Sequence, residues 1–177
     1  IEADRVESAG ASTGPSHISE TLRLPGMWIG GGLFLLYTGV EVAGGDWSFT
    51  LFTQERGVDV VTAGTWVSVY WGAFMVGRVL LAFIADHVRS VTMLRGAMAG
   101  AIVASILIWW NPVNTVGFAG LALLGLSLAP IFAGLVTQTP GRVGPHHAAN
   151  ALGLQMSAAA VGAISLPGLA GFLAQYA

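Results

Sequence analysis

The segment GGGLFLLYTGVEVAGGDW, residues 30–47, decides the fold of this chain. It is apolar enough to cross a bilayer, yet it holds the ionisable side chain of Glu41 well inside the run. A carboxylate at that depth costs roughly 2.5 to 3.5 kcal/mol on insertion scales, so it normally faces a protein interior or a water-filled cavity. We therefore expect Glu41 to take part in binding. The alternative is a hydrogen bond that only packs one helix against another.

The composition of the whole chain is that of an integral membrane protein. Of its 177 residues, 54% are hydrophobic and 9% are charged, whereas soluble domains have roughly 25% charged residues. The 7 basic residues are all arginines and are scattered, so nucleic acid is not an expected partner. There is no cysteine, which excludes a disulfide framework and a thiolate metal site.

The hydrophobic pattern predicts an all-α membrane protein with about five transmembrane helices. Residues 1–25 form a polar linker that lacks the features of a signal peptide, and residues 26–177 form the membrane-spanning part. The segment 138–145 contains two prolines and two glycines and is expected to break the helical pattern. The predicted spans are residues 27–43, 61–84, 91–110, 115–136 and 148–175.

The arginines predict how these spans are oriented. Arg23, Arg89, Arg95 and Arg142 flank the spans on one side, and Arg56 lies on the other. Because cytoplasmic loops carry the excess of basic residues, we expect a cytoplasmic N-terminus. An odd number of spans then leaves the C-terminus outside. The chain stops at a membrane boundary without a polar tail, so we expect that a last helix is missing.

Three runs of this chain resemble the C-terminal half of a major facilitator superfamily transporter. They are YTGVEVAGGDW at residues 37–47, WVSVYWGAFMVGRVLLAFIAD at residues 66–86 and GLSLAPIFAGLVTQTPGRVGPHHAANALGLQ at residues 125–155. Within the superfamily, the chain is most similar to the fucose permease-like sugar and solute symporters. The resemblance implies a twelve-helix protein made of two halves, of which this chain holds helices seven to eleven. Its partners would be the N-terminal half, the last helix and the lipid bilayer of the cell (inner) membrane.

A linked pattern after the second span carries the most specific part of the resemblance. Arg78 follows a glycine inside the span, Asp86 stands at the turn, and Arg89 and Arg95 lead into the third span. This pattern resembles the superfamily's G-x-x-x-D-R-x-G-R loop, which implies a role in cytoplasmic gating for these four residues. The chain departs from that motif at Ala82, His87 and Ser90.

Helix-rise arithmetic indicates how deep the charged side chains lie. Glu41 is about 21 Å from the cytoplasmic end of its span, and Arg78 is about 25 Å from the outer end of its own span. In a hydrocarbon core of about 30 Å the two should lie some 15 Å apart and not form an ion pair. Arg78 is then expected to reach the cytoplasmic interface or Asp86.

Three further side chains are expected near the midplane and could bind solute together with Glu41. Tyr37 lies on the same helical face as Glu41, and Trp71 and Gln155 lie at similar depths in other spans. Aromatic faces with carboxylate and amide groups are the chemistry that binds a sugar. Helix packing remains the alternative for Tyr37 and Trp71. A buried amide needs partners, which for Gln155 a water-filled cavity would supply.

These observations predict a secondary active transporter for a small polar solute such as a sugar, with or without a coupled proton. No nucleophile elbow, P-loop or H-E-x-x-H motif occurs, so we expect neither an enzyme nor a cofactor. A metal site at His146 and His147 is not expected, because adjacent histidines do not share a helical face and no acid or cysteine stands nearby. The alternative is a non-transporting polytopic protein, a sensor or a membrane enzyme subunit, that keeps the fold.

Overall fold

The structure is a computed structural model that describes residues 17–84, 87–88 and 90–176. Within these residues all regular structure is helical. As the sequence predicts, there are 5 helices long and apolar enough to cross a membrane. The short helix α1 (Ile18–Thr21) precedes these five, which are α2 (Pro25–Thr50), α3 (Val60–Ile84), α4 (Ser90–Trp110), α5 (Asn114–Val143) and α6 (Ala148–Ala174).

Helix α2 extends further than the predicted span of residues 27–43. It begins at Pro25, a position where the missing N–H would have no helical acceptor anyway. Beyond Thr50 the chain continues as a π-helical segment, Leu51–Glu55. Phe52 in that segment is fully buried and holds this end of the helix to the core. Residues 44–55, which follow the predicted span, are therefore helical as well.

Helix α5 extends through most of residues 138–145, the segment predicted to break the helix, and the break occurs only at Gly144. The helix passes through Pro130 and Pro140 and ends at Val143. Membrane helices tolerate proline where neighbouring helices enclose the segment, and α5 has 50% of its most apolar stretch buried, against 11% in α4 and α6. The helix stops where Gly144 has a φ of +84°, which glycine adopts without steric cost.

Helix α5 is the centre of the bundle. Helices α3 and α4 pack against it, and α2 packs against both α5 and α6. Two glycines allow the closest approaches between these helices. A Cβ atom on Gly125 would lie 2.3 Å from the carbonyl oxygen of Tyr70, and one on Gly162 would lie 2.1 Å from that of Leu35. Close backbone contact of this kind is how membrane helices associate, and here it fixes α3 on α5 and α6 on α2.

Candidate functional site

One side of α2 leads from the core to the candidate site. Phe34, Tyr37, Glu41 and Gly45 are spaced by three and four residues, so they share one face of the helix. Tyr37 is only 6% exposed, and its hydroxyl is buried without a hydrogen-bond partner among the described residues. The Glu41 carboxylate lies close to this hydroxyl, but outside normal hydrogen-bond geometry. Since buried polar groups normally have partners, the Tyr37 hydroxyl marks a place where a polar ligand would find one.

Helix α3 meets this face with Tyr70 and Trp71. The Tyr70 hydroxyl donates to the backbone carbonyl of Glu41 at 2.7 Å, which sets α3 against α2 near the carboxylate. Trp71 rests on Gly45, where an added Cβ atom would come within 2.4 Å of the indole. The Trp71 side chain is 40% exposed. Gly45 lies one turn after Glu41 on α2, so the partly exposed indole lies near the carboxylate.

Arg78 lies over aromatic rings. Its guanidinium is 4.5 Å from the centroid of Phe74 and 5.8 Å from that of Phe132. The Phe132 ring in turn lies 6.1 Å from the ring of Tyr37. In the described part of the chain, Arg78 makes no hydrogen bond or ion pair with Glu41, although both charges act on Tyr37. Phe132 therefore links Arg78 to Tyr37, and the lack of an ion pair with Glu41 agrees with the depth arithmetic.

Tyr37, Glu41, Trp71 and Arg78 form what we call the α2/α3 site. It combines a carboxylate, a guanidinium, a phenol and an indole. Glu41 is half-buried, while Trp71 and Arg78 are exposed, so the site has a closed floor at Tyr37 and an open rim. Such an arrangement can both accept and donate hydrogen bonds beside an aromatic face.

Gln155 lies in a sealed contact between helices and not in the water-filled cavity that the sequence led us to expect. Its side chain has no exposed surface, and it packs where a Cβ atom on Gly30 would come within 2.1 Å of the amide nitrogen. Thr139 donates a hydrogen bond to Gln155 Oε1 at 2.9 Å. The amide nitrogen has no partner among the described residues. Because Gly30 precedes Tyr37 by about two helical turns, Gln155 is separate from the α2/α3 site.

The structure says less about the predicted gating loop. Asp86 and Arg89 lie outside the described residues. Arg95 is exposed in the second turn of α4, and Arg78 belongs to the α2/α3 site. The gating role of these four residues stays a prediction.

Sequence reasoning missed three side chains that shape these sites: Tyr70, Phe132 and Thr139. A usable signal existed for Tyr70. Ala63, Tyr70, Phe74 and Gly77 are buried residues at helical spacing on α3. That stripe directs Tyr70 inward and leaves Trp71, the next residue, at the rim. Phe132 and Thr139 come from α5, and no local pattern indicated which of its faces meets α2.

Charged groups at the opposite end of α2 support the fold. Arg56 donates to the carbonyl of Ile108 near the end of α4 and lies 5.0 Å from the centroid of Phe52. Burial lowers the pKa of its guanidinium from the ordinary value. Asp59 accepts a hydrogen bond from the Thr62 N–H at 2.9 Å, and its hydrogen bonds to Thr62 lower the pKa of the Asp59 carboxyl. The Arg56 contact lies at the end of α4, and the Asp59 contact lies at the start of α3.

A second polar cluster lies where α1 meets the start of α6. Glu20 of α1 approaches His146 and His147, which belong to the 3-10 helix Pro145–His147. One ligand atom from each of the three residues lies within 4.8 Å of the others. The sequence argument that no acid stands near these histidines is therefore wrong, because the fold brings in a residue from the other end of the chain.

The architecture is that of a multi-pass membrane protein, and comparison with known proteins identifies its family. A family model described as Major Facilitator Superfamily matches residues 4–177. The chain therefore belongs to the major facilitator superfamily, as the resemblance of its three runs implied. This superfamily consists of membrane transporters, which are not enzymes.

A relative with a stated activity also matches this chain. The sodium-dependent glucose transporter 1 of Danio rerio is 33% identical over 141 residues, which cover 77% of this chain and 23% of that protein. The chain thus spans about a quarter of the length of this curated relative. No solved structure matches the chain.

Proposed function

We propose that this chain is part of a secondary active transporter that carries a sugar or a similar small polar solute by alternating access. The α2/α3 site would hold one side of the solute. The rest of the cavity would come from helices outside this chain, which the family resemblance implies are the N-terminal half and a last helix. The transporter would act in the cell (inner) membrane, with Glu41 binding the coupled ion, a proton.

The observation that carries this proposal is the buried Tyr37 hydroxyl beside the Glu41 carboxylate. A sugar hydroxyl can donate to the carboxylate and accept from the phenol at the same time. The guanidinium of Arg78 would donate to another solute oxygen, and the open part of the Trp71 indole would cover the apolar face of the ring. These four side chains together match a polyol better than a purely apolar or a strongly charged solute.

The relative from Danio rerio supports a sugar as the solute and introduces sodium as a rival coupling ion. A carboxylate can serve either ion. Sodium sites in transporters gather backbone carbonyls and other oxygens around the ion. A proton needs only a carboxylate whose contact with water changes as the cavity opens to one side and then to the other. Glu41, half-buried beneath an open rim, has that position.

The test is glucose uptake by the intact transporter in vesicles, with a pH gradient or a sodium gradient imposed separately. We expect wild-type uptake to follow the pH gradient, and Glu41→Gln to abolish that dependence. The substituted amide keeps the size and hydrogen bonding of the carboxylate, but it cannot ionise. Glu55→Gln is the matched control, because Glu55 is an exposed acid at the end of the π-helical segment that follows α2.

Each other outcome has a definite meaning. If uptake follows the sodium gradient and is lost in Glu41→Gln, the α2/α3 site would stand and the coupled ion would be sodium instead of a proton. Unchanged uptake and pH dependence in Glu41→Gln would reduce Glu41 to a packing group. If the wild type moved none of a panel of sugars and polyols while remaining folded, the non-transporting alternative would replace the proposal.

The proposed orientation can be tested separately with single cysteines introduced into this chain, which has none of its own, with the unsubstituted transporter as the background. Thr115 is exposed at the start of α5, and His87 is exposed between α3 and α4. With a cytoplasmic N-terminus, a cysteine in place of Thr115 should react with a membrane-impermeant maleimide on intact cells. One in place of His87 should react only after permeabilisation. The reverse pattern would invert the proposed topology.

A further inference from the structure

The cluster of Glu20, His146 and His147 has the composition of a metal site. Its three residues offer one carboxylate oxygen and two imidazole nitrogens within 4.8 Å of one another. The two histidine rings are 5.0 Å apart at an interplanar angle of 77°. They therefore present their nitrogens in different directions around a shared space, even though adjacent residues cannot lie on one helical face. Glu20 and His146 are exposed, so an ion can reach them from water.

A hydrogen bond from α1 orients the third ligand. The Thr21 hydroxyl, which is fully buried, donates to the carbonyl of His17 at 3.4 Å and lies 3.1 Å from Nδ1 of His147. A hydroxyl that donates to a carbonyl is left to accept from an imidazole N–H. In the tautomer in which Nδ1 of His147 donates to this hydroxyl, the lone pair of Nε2 is left for a metal. Metal-binding histidines are commonly held through their second nitrogen in this way.

We propose that Glu20, His146 and His147 bind a zinc ion, which clamps α1 to the segment between α5 and α6. Two histidines and a glutamate form a known zinc ligand set that leaves a fourth position for water. Zinc bonds of about 2.0 to 2.2 Å place neighbouring ligand atoms about 3.4 Å apart. The three side chains would close in by roughly 1 Å, which exposed rotamers allow. Magnesium and calcium are disfavoured because they prefer oxygen ligands.

The clamp would connect the chain before α2 to the bundle. Helix α1 has only four residues and otherwise makes a small contact with α6. A metal bound by both parts stabilises their association by its binding free energy, because neither part holds the ion alone. Since α1 leads directly into α2, zinc would restrain the end of the helix that carries Glu41. This inference does not depend on the solute or the coupling ion.

The experiment measures zinc affinity in the intact transporter by competition with a fluorescent zinc chelator. Wild type should bind one ion at this site, and Glu20→Gln, His146→Gln and His147→Gln should each weaken binding about tenfold or more. His87→Gln is the control, because His87 is an exposed histidine outside the cluster. Equal affinity in wild type and in any of the three ligand variants would overturn the proposal, provided that the variant elutes as a monodisperse protein.

Two further measurements keep the proposal testable if a ligand variant fails to fold. Cobalt bound to the unmodified transporter should give the visible absorption of a four- or five-coordinate nitrogen and oxygen site, and zinc should displace it. An octahedral, weakly absorbing spectrum would count against a built site. Zinc should also slow cleavage by trypsin after Arg23, which is exposed just beyond α1, in wild type and in His87→Gln alike. Unprotected cleavage at saturating zinc would contradict the clamp.

Discussion

Gln155 and Glu41 are both polar side chains within membrane-spanning helices, yet their surroundings differ. Gln155 has no exposed surface, accepts a bond from Thr139 and packs against Gly30. Glu41 is half-buried and lies beside the hydroxyl of Tyr37, which has no partner among the described residues. One site is closed by helix contact, and the other opens at a rim formed by exposed side chains. The difference separates a polar group that joins helices from one that is available to a ligand.

Depth along a helix cannot make this distinction. It gives the height of a residue in the membrane, but not which helix its side chain faces. Gln155 faces the glycine of a neighbouring helix, where the backbones come close. Glu41 faces α3 across a contact that Tyr70 holds at the backbone, so the carboxylate itself stays free of that bond. Full burial of the side chain against a neighbouring helix, rather than its depth, marks the sealed site.

The closed side of the bundle should be the more sensitive to added volume. Gly162→Ala places a methyl group about 2.1 Å from the backbone oxygen of Leu35, which cannot rotate away. Helices α2 and α6 must separate, and we expect a loss of about 3 kcal/mol, the upper end of the usual cost of overpacking. The measurement is thermal unfolding of the purified transporter in detergent.

Gly153→Ala on the same helix provides the control, since a Cβ atom there meets nothing within 4 Å. It should leave the unfolding temperature unchanged or slightly raised, because alanine favours the helix. Equal unfolding temperatures for the two variants would show that α2 and α6 are not in close contact. The description of this side of the bundle as sealed would then be wrong.

Much of the fold was predictable, because twenty-residue apolar runs have few alternatives in a membrane. Prediction failed where contacts with other helices determine the local structure. Pro140 reads as a helix breaker, but enclosure of α5 by other helices lets the helix pass through it. The acid near His146 was missed because Glu20 is remote in sequence. Of the candidate site, Glu41 and Tyr37 followed from helical spacing, whereas the place of Arg78 depends on Phe132 of α5.

A pair of substitutions at Gln155 sharpens the comparison further. Gln155→Glu puts a charge into a site without solvent, so it should destabilise the transporter by roughly 2 to 3 kcal/mol. Gln155→Leu removes the buried amide, and the Thr139 hydroxyl retains the carbonyl of Leu135 at 3.0 Å as an acceptor. We therefore expect a change below about 1 kcal/mol for leucine.

Solute uptake distinguishes a structural from a binding role for Gln155. Uptake per folded molecule should be the same for Gln155→Leu and wild type. A large loss of apparent solute affinity in a well-folded Gln155→Leu transporter would return Gln155 to the binding site that its sequence position suggested.

Arg78 gives the smallest expected effect and tests the open side of the comparison. Its guanidinium is exposed and lies over Phe74 and Phe132, an interaction of about 0.5 to 1 kcal/mol at an accessible position. Arg78→Met keeps most of the aliphatic volume and removes the charge, so folding should be nearly unchanged. If the guanidinium also donates to the solute, the apparent affinity should fall about two- to tenfold, because one hydrogen bond contributes about 0.5 to 1.5 kcal/mol. Arg23→Met, an exposed arginine outside the bundle core, should leave affinity unchanged. The opposite result is that Arg78→Met lowers stability but leaves the apparent affinity unchanged. It would support the structural role at the cytoplasmic interface that the depth arithmetic favoured. Of the exposed and half-buried side chains of the site, only Trp71 and Glu41 would then remain to contact the solute.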